Sequence, residues 1–318
     1  MKAPRVFVLI LTWNNKEDVL ECLASVAKIH YPNFQTVLID NDSADDTVIA
    51  IRQKFPNVKI IENNANMGYA EGNNVGIRYA LKMGTDYIWI LNNDLIVDTE
   101  ALGFLVAAAE ENPKAGIFCS KVYEYARPNI ISFVGSTWMT DKGTFSDWAS
   151  GQNDVGLHEE IKETDYANGC SFFLKSQVAK TVGFFDKRYF FAWEETDLCY
   201  RARRAGYLVM IQPKAKVWHK VSKSFEDGSK GWRWQYYDTR NRFLWIEKNL
   251  RGSAKLKAFK ICLWRVYWGL VELWRRSLPQ AQLDLIQVRL LGAWHYFIRR
   301  FGPAPLVFKP KIRSRYQI

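Results

Sequence analysis

The chain has 318 residues, 48% hydrophobic and 24% charged, which supplies enough apolar material for a full core and excludes disorder by composition. Its net charge of +11 is unevenly placed: residues 251–318 carry 14 Lys/Arg against 2 Asp/Glu, so the first 250 residues are close to neutral and a basic tail follows, suited to anionic lipid or nucleic acid. Cys22, Cys119, Cys170, Cys199 and Cys262 are odd in number and never spaced as CxxC, which argues against a disulfide framework or a cysteine zinc site and points to reduced thiols in a cytosolic chain.

The first five residues lead straight into a strand, so no signal peptide is expected. Residues 5–11 are an apolar run of strand length, read as a buried parallel strand. Thr12, Trp13, Asn14 and Asn15 interrupt it. Asn14 or Asn15 is placed to cap a helix with Glu17 and Asp18 in its first turn and Val19, Leu20, Leu23 and Val26 on one face. A second strand over 35–39 ends in Asp40, Asn41, Asp42 and Ser43. A helix over 48–55 and a short strand over 58–62 lead to a loop holding Asn66, Gly68, Gly72, Asn73 and Asn74, which opens a helix at Val75. The loop glycines permit positive φ and close backbone approach, and the helix N-terminus favours an anion.

Strand 87–91 then runs into Asn92, Asn93 and Asp94. One carboxylate beside two carboxamides is poor core material. The triplet reads either as an oxygen donor to a hard cation at the carboxyl end of a strand, where open α/β sheets bind ligands, or as an ordinary Asn/Asp turn. Strand and helix thus alternate four times, the pattern of the nucleotide-binding half of a doubly wound sheet. Neither GxGxxG nor a Walker-A lysine accompanies it, which weighs against dinucleotide and P-loop readings.

From 121 to 166 the periodicity weakens into short β-like pieces among Gly, Ser, Asp and Trp, read as a variable lid or acceptor region. A short strand at 172–174 and a helix around 176–181 follow. Phe190, Phe191, Ala192 and Trp193 then precede Glu194, Glu195 and Asp197, three carboxylates in four residues. On a helix beginning near Glu194, Leu198 and Arg201 would pack and pair inward, with Glu194 and Glu195 exposed at its N-terminal end; acids there also occur simply to satisfy the helix dipole. Strand 207–211 is followed by Pro213 and by His219 beside Trp218, the histidine being either a half-buried packing residue or a metal ligand. Residues 222–230 read as a Ser/Gly/Lys loop, and 232–249 as a helix on which Arg240 is chemically suited to a diphosphate or is a surface charge.

Seven stretches, in their order and spacing, resemble the family 2 glycosyltransferases, the inverting class of the GT-A fold: Val37 to Ser43, Asn66 to Asn74, Leu91 to Asp94, Gly183 to Asp186, Trp193 to Arg201, Ala205 to Tyr207 and Val217 to His219. Within that family the chain looks most like the bacterial rhamnosyltransferase-type enzymes that build cell-envelope polysaccharides. The resemblance covers about residues 5–249 and implies an α/β GT-A catalytic domain over 1–250, a Rossmann-like nucleotide-binding half and an acceptor half sharing a mixed sheet flanked by helices. It implies that Asp40 holds the donor's base, that Thr12, Asn14 and Ser43 lie near nucleoside and ribose, and that Asn66, Gly68 and Asn73 line the nucleotide pocket. Asn92, Asn93 and Asp94 stand where the family has Asp-x-Asp, with Asp94 and His219 holding Mg²⁺ or Mn²⁺. Glu194 and Glu195 stand for the family's Glu-Asp pair, Glu195 favoured as the base and Glu194 second. The chain departs from the family pattern at Asn92, which replaces an Asp, and at Glu195, which is one methylene longer than the usual Asp.

The implied reaction is a metal-dependent in-line displacement with inversion at the anomeric carbon. It moves a sugar such as rhamnose from a nucleoside-diphosphate donor to a hydroxyl of a cell-envelope glycan or a polyprenyl-diphosphate-linked acceptor. Two other expectations compete with it. One is a catalytically degenerate GT-A-fold binding protein with a membrane- or nucleic-acid-binding tail. The other is a glycosidase, whose two carboxylates would flank a sugar without a nucleotide half-sheet.

Residues 251–318 read as a basic, aromatic-rich helical extension. On a helix over 254–276, Arg265, Gly269, Glu272 and Arg276 fall on one side. Phe259, Leu263, Val266, Tyr267, Leu270, Leu273 and Trp274 fill a broad opposite side, interrupted too often by charge for a spanning helix. Residues 283–301 repeat the theme with Leu290, Trp294, Phe297, Arg299 and Arg300. The expectation is a tail lying in an anionic membrane interface, making the protein peripheral on the inner face of the cell membrane; packing on the catalytic domain or a homodimer seam is the alternative. The aromatics sit within apolar runs rather than between Lys/Arg as a stacking platform, so no nucleic-acid partner is expected.

Overall fold

The computed structural model describes residues 2–220, 229–275 and 278–305. The chain divides into two compact units. The first comprises Met1–Trp138, Phe145–Asp186 and Glu194–Ser222; the second comprises Met139–Thr144, Lys187–Trp193 and Lys223–Ile318.

The first unit is built on one sheet. Its opening half runs β1 (Val6–Thr12), α1 (Lys16–Val26), β2 (Phe34–Asp40), α2 (Thr47–Lys54), β3 (Lys59–Glu62), α3 (Gly68–Lys82) and β4 (Tyr87–Asn92). β1 pairs in parallel with β2 and β4, and β2 with β3. Val6 to Ile10 have no accessible surface, as a parallel strand covered on both faces requires. Thr12 stands opposite Asp40 and Leu11 opposite Asn92, so the three strands deliver their polar ends at one level. This is the expected alternation.

The second half follows as β5 (Leu95–Val97), α4 (Ala101–Glu111), β6 (Ala115–Glu124), β7 (Arg127–Phe133), the hairpin β8 (Ser136–Met139) and β9 (Thr144–Asp147), β10 (Lys162–Glu163), β11 (Ser171–Lys175), α5 (Ser176–Val182), α6 (Glu194–Arg204) and β12 (Leu208–His219). The sheet order is β10-β12-β6-β11-β4-β1-β2-β3, with β5 on β12 and β7 on β6; β11 runs antiparallel between β4 and β6, so the sheet is mixed, as expected.

The structure corrects several local expectations. Asn15 is the N-cap residue of α1 but makes no capping side-chain bond. Helix α3 starts at Gly68 (φ +75°), not at Val75, so the Gly/Asn-rich stretch is helical. Residues 121–124 and 127–133 belong to strands of the main sheet rather than to a lid, the second strand in line with the β-like pieces read there. The apolar pattern is broken there by Lys121, which is fully buried because Asp154 and Glu159 meet its ammonium at 2.5 and 2.7 Å. β12 is one strand of 12 residues that passes Pro213 through a register shift between Gln212 and Lys216, a bulge that leaves no ladder bond for the proline to break.

The second unit holds α7 (Ser229–Asn249), α8 (Gly252–Arg275) and α9 (Gln280–Phe297). The helix over 229–249 groups with the tail, together with the two short segments from earlier in the chain. α7 and α9 pack closely: a Cβ on Gly292 would stand 2.6 Å from the Tyr236 carbonyl oxygen. Tyr236 Oη meets His295 Nδ1 at 2.6 Å, and Glu247 accepts from Tyr296 Oη and Arg299. On α8 the buried residues are small, Ala258 and Cys262. Arg265 donates to the Lys142 carbonyl, while Leu263, Tyr267, Leu270 and Trp274 are exposed. Residues 222–228 of the expected loop and Arg276 lie outside the described residues. Among the described residues no helix is long and apolar enough to cross a membrane.

Candidate active site

The carboxyl ends of β1, β2 and β4 gather most of the residues singled out above. Asp40 is buried at the end of β2; its Oδ1 accepts from Ser43 Oγ at 2.5 Å and its Oδ2 from the Ser43 amide at 3.0 Å. The Asn14 amide donates to Ser43 Oγ, and Asn14 Oδ1 accepts from the Ala44 amide. Asn14 and Asp42 both have positive φ, so the two loops are shaped for this mutual fit. Thr12 Oγ1 accepts from Asn93 Nδ2 at 3.0 Å, tying β1 to the β4 triplet. Thr12, Asn14, Asp40, Ser43 and Asn93 therefore form one connected edge. The Asn92 amide donates to the Cys170 carbonyl, which seats this residue beside the 168–170 loop.

Asn41 organises the next loop, a role that sequence reading did not assign. It is buried; its Nδ2 donates to Asn66 Oδ1 and the Gly68 carbonyl, and its Oδ1 accepts from Asn63 and the Met67 amide. Asn66 in turn accepts from the Gly68 amide at 2.9 Å, which fixes the start of α3. Asn74 likewise ties α3 to the turn before Asp186 by bonds to both the amide and carbonyl of Phe185. Asn73 is a correction. It has no accessible surface and its amide bonds back to the Tyr69 carbonyl within α3, so it lines no open pocket.

Asp94 and His219, 125 positions apart, meet with Oδ1 and Nε2 3.1 Å apart. The antiparallel pairing of β5 with β12 causes this, because His219 stands opposite Leu95, the residue after Asp94. Lys220 secures the junction: its amide donates to the Asp94 carbonyl at 3.0 Å and its ammonium to Asp18 and Glu21 on α1. Asp94 is 3% exposed. Among the described residues no three His, Cys, Asp or Glu side chains gather as a metal cage. One carboxylate oxygen with one imidazole nitrogen is nevertheless a donor set suited to a divalent cation that takes its other ligands from a diphosphate and water.

Glu194 and Glu195 open α6 as expected, and Asp197 pairs with Arg201, but Glu194 is only 3% exposed instead of facing solvent. Burial, and then the charge of Glu195, push the Glu194 carboxyl well above the usual carboxylate range. Tyr69, which sequence reading passed over, joins these acids. Its Oη donates to the Gly169 carbonyl at 2.6 Å, and burial followed by the charges of Glu194 and Glu195, with Asp94 acting less, pushes its phenol well above normal. A Cβ on Gly169 would lie 3.7 Å from the Glu195 carboxyl carbon. Tyr69, the 168–170 loop, the acid pair and Asp94 thus share one neighbourhood.

Arg240 is the second correction. It has no accessible surface, and its guanidinium donates to Asn241 Oδ1 and to the carbonyls of Gly302, Arg188 and Tyr189 within the second unit. A side chain so satisfied is not held open for a diphosphate. Its neighbour Asn241 donates to the carbonyls of Tyr189, Phe191 and Ala192. Together they hold a segment in which Phe190, Ala192 and Trp193 are left-handed, immediately before Glu194.

The profile described as glycosyl transferase family 2 matches residues 7–181. A low-salt glycan biosynthesis hexosyltransferase, Agl10 of Haloferax volcanii, is 24% identical over 306 residues, 93% of this chain and 92% of its own. An N-acetylglucosaminyl-diphospho-decaprenol L-rhamnosyltransferase of Mycobacterium tuberculosis is 26% identical over 239 residues, 68% of this chain and 76% of its own. Among solved structures, the mannosyltransferase PcManGT of Pyrobaculum calidifontis, in complex with GDP-Man and Mn²⁺, superposes with a TM-score of 0.59 at 14% identity, covering 94% of this chain and 89% of that one. The chain has the GT-A fold, belongs to glycosyl transferase family 2 and is a nucleotide-sugar-dependent glycosyltransferase.

Proposed function

We propose that the protein transfers a hexosyl group, rhamnose first among the candidates, from a nucleoside-diphosphate donor to a hydroxyl of a cell-envelope glycan carried on a polyprenyl diphosphate, with inversion. The observation that carries this reading is the meeting of Asp94 and His219 at 3.1 Å on the sheet edge where the acid pair also acts. The acceptor class follows from the diphospho-decaprenol in the name of the mycobacterial relative, and the sugar from that name and from a dTDP-rhamnosyl transferase of Shigella flexneri, RfbF, 23% identical over 266 residues.

In this reading Asp94 and His219 hold Mg²⁺ or Mn²⁺, which when bound offsets the negative charge on the leaving diphosphate. Asp40 receives the base of the nucleotide, with Ser43, Asn14 and Thr12 beside it, and Asn66 and Gly68 shape the far wall. Asn92 stands where the family carries a further carboxylate, and its carboxamide would meet donor oxygens rather than the cation, with Asn93 beside it. Burial, and then the charge of Glu195, raises the Glu194 carboxyl, which favours Glu195 over Glu194 as the base. Glu195 takes the acceptor hydroxyl's proton as that oxygen attacks the anomeric carbon from the face opposite the diphosphate. The basic second unit rests on the anionic inner face of the cell membrane through the exposed side of α8, the same surface that holds a lipid-linked acceptor.

A donor panel tests the proposal. Purified protein with Mn²⁺ is given dTDP-rhamnose, UDP-sugars or GDP-sugars, and nucleoside diphosphate release is recorded. Metal-dependent release from one nucleotide class is the expected result. A folded protein that releases none from any donor is a degenerate binding protein instead, and Asn92→Asp becomes the variant to examine.

A further inference from the structure

The transfer chemistry uses nothing on α8, yet this helix is the least ordinary in the chain. Leu256, Leu263, Tyr267, Leu270 and Trp274 recur at steps of seven, four, three and four, which places them on one stripe, and all are exposed, Trp274 to 85%. At 1.5 Å per residue the stripe is about 27 Å long. Arg265, Gly269 and Glu272 lie on the other side and line a groove of about 540 Å³ among α7, α8 and α9. A helix that buries only the small Ala258 and Cys262 and leaves this aromatic and leucine stripe exposed suits an environment that is itself apolar.

The groove has mixed walls. Phe243, Trp268, Ile286 and Leu290 are apolar; Arg242, Arg265 and Arg289 are cationic; Asp238 and Glu272 are the carboxylates. Arg242 is matched by both oxygens of Asp238 at 2.9 and 2.7 Å. Arg265 gives one N–H to the Lys142 carbonyl at 3.0 Å, and Arg289 gives its Nε–H to Gln235 at 2.6 Å. The other donors of these two guanidiniums have no partner among the described residues, and a guanidinium carries five in a fork that matches phosphate oxygens. Burial, then the charge of Arg242, and to a lesser degree that of Arg289, push the Arg265 pKa down, as crowding of like charge would.

We infer that this groove is a headgroup slot, in which Arg265 and Arg289 bind the phosphodiester of an anionic membrane phospholipid. Its acyl chains would follow the apolar wall toward the aromatic stripe of α8. The inference rests on the reading that α8 lies in a membrane interface, and it adds a specific, saturable site to what would otherwise be diffuse attraction. A nucleotide or nucleic acid would satisfy the arginines but gain nothing from exposed Leu256, Leu263 and Leu270; a phospholipid uses both features.

Vesicle cosedimentation of the full chain tests it, with phosphatidylcholine alone and with phosphatidylcholine mixed with phosphatidylglycerol. R265Q/R289Q is expected to weaken binding to the mixed vesicles about tenfold or more and to leave binding to the neutral vesicles in place. K257Q/K260Q removes two exposed α8 cations outside the groove and is expected to cost clearly less. In parallel, monomeric short-chain phosphatidylglycerol should give a saturable change in tryptophan fluorescence that short-chain phosphatidylcholine does not. This titration of the wild type decides the matter alone if R265Q/R289Q does not fold. Equal losses in both double variants, or no saturable response to phosphatidylglycerol, would overturn the slot and leave the interface reading standing. A wild type that binds neither kind of vesicle would overturn both.

Discussion

One buried polar cluster from each unit makes a comparison. At the sheet edge of the first, the buried groups are acids and carboxamides, and Glu194 Oε2 has no hydrogen-bond partner among the described residues. In the second, the buried Arg240 and Asn241 donate to main-chain carbonyls at nearly every position their geometry allows. A buried polar group that the protein satisfies needs no ligand to offset its desolvation. One left short is costly unless a ligand or a proton completes it. That difference separates the two charged features which looked alike in the sequence, the acids of α6 and the arginine of α7.

The contrast can be broken most severely at Glu195. Replacing it by Gln is expected to lower kcat about a thousandfold with donor KM little changed, measured by nucleoside diphosphate release in the presence of acceptor; a loss under about tenfold would remove it as the base. On the other unit, changing Trp264, Trp268 and Trp274 together to Ser should weaken vesicle binding at least about tenfold, since interfacial binding scales with buried apolar area. Unchanged sedimentation would mean that α8 meets protein rather than lipid. Asn241→Ala removes the carboxamide that three carbonyls around the left-handed segment share, those of Tyr189, Phe191 and Ala192. It is expected to cost about 2 kcal/mol of stability, read from urea unfolding; a cost near zero would contradict the scaffold role.

The smallest effect sharpens the comparison through pH. Glu194 is an acid whose folded pKa lies above the ordinary value of 4.5, so the folded state holds its proton more tightly than the unfolded chain does. The associated stability is present below that value and is lost as pH rises toward the raised one. Glu194→Gln cannot titrate. Its melting temperature should therefore fall less than that of the wild type as pH increases from about 4.5, and near neutrality it should be at least as stable. A Gln variant that follows the wild-type profile would show that Glu194 is not desolvated as described.

Much of this was legible in the sequence because the parallel half announces itself. Strands such as Val6–Thr12 and Tyr87–Asn92 are continuous apolar runs, covered on both faces, and each ends abruptly in polar residues. Asp94 and His219 could be named separately, but their meeting depends on β5, three residues long, pairing with β12, and no local pattern marks so short a strand. Residues 121–124 were unreadable because Lys121 is an ion-paired cation inside a buried strand, and the partners that make it tolerable lie more than 30 positions away. Tyr69 gave no signal, since an aromatic residue in a Gly/Asn-rich stretch carries no mark of the acids it will face. Arg240 misled for the complementary reason. The carbonyls that saturate it come from Arg188, Tyr189 and Gly302, about 50 or more positions distant, and a charge on an aromatic helix looks like a ligand until they are seen.

The central claim is that Asp94 and His219 hold the cation on which transfer depends. Calorimetric titration of Mn²⁺ into the protein, in the presence of the nucleoside diphosphate that the donor panel selects, tests it most directly when repeated with Asp94→Asn and His219→Gln. Each variant should bind Mn²⁺ about tenfold or more weakly, with turnover falling in step and the apo melting temperature close to that of the wild type. Wild-type Mn²⁺ affinity in both variants would contradict the claim and return the pair to the scaffold.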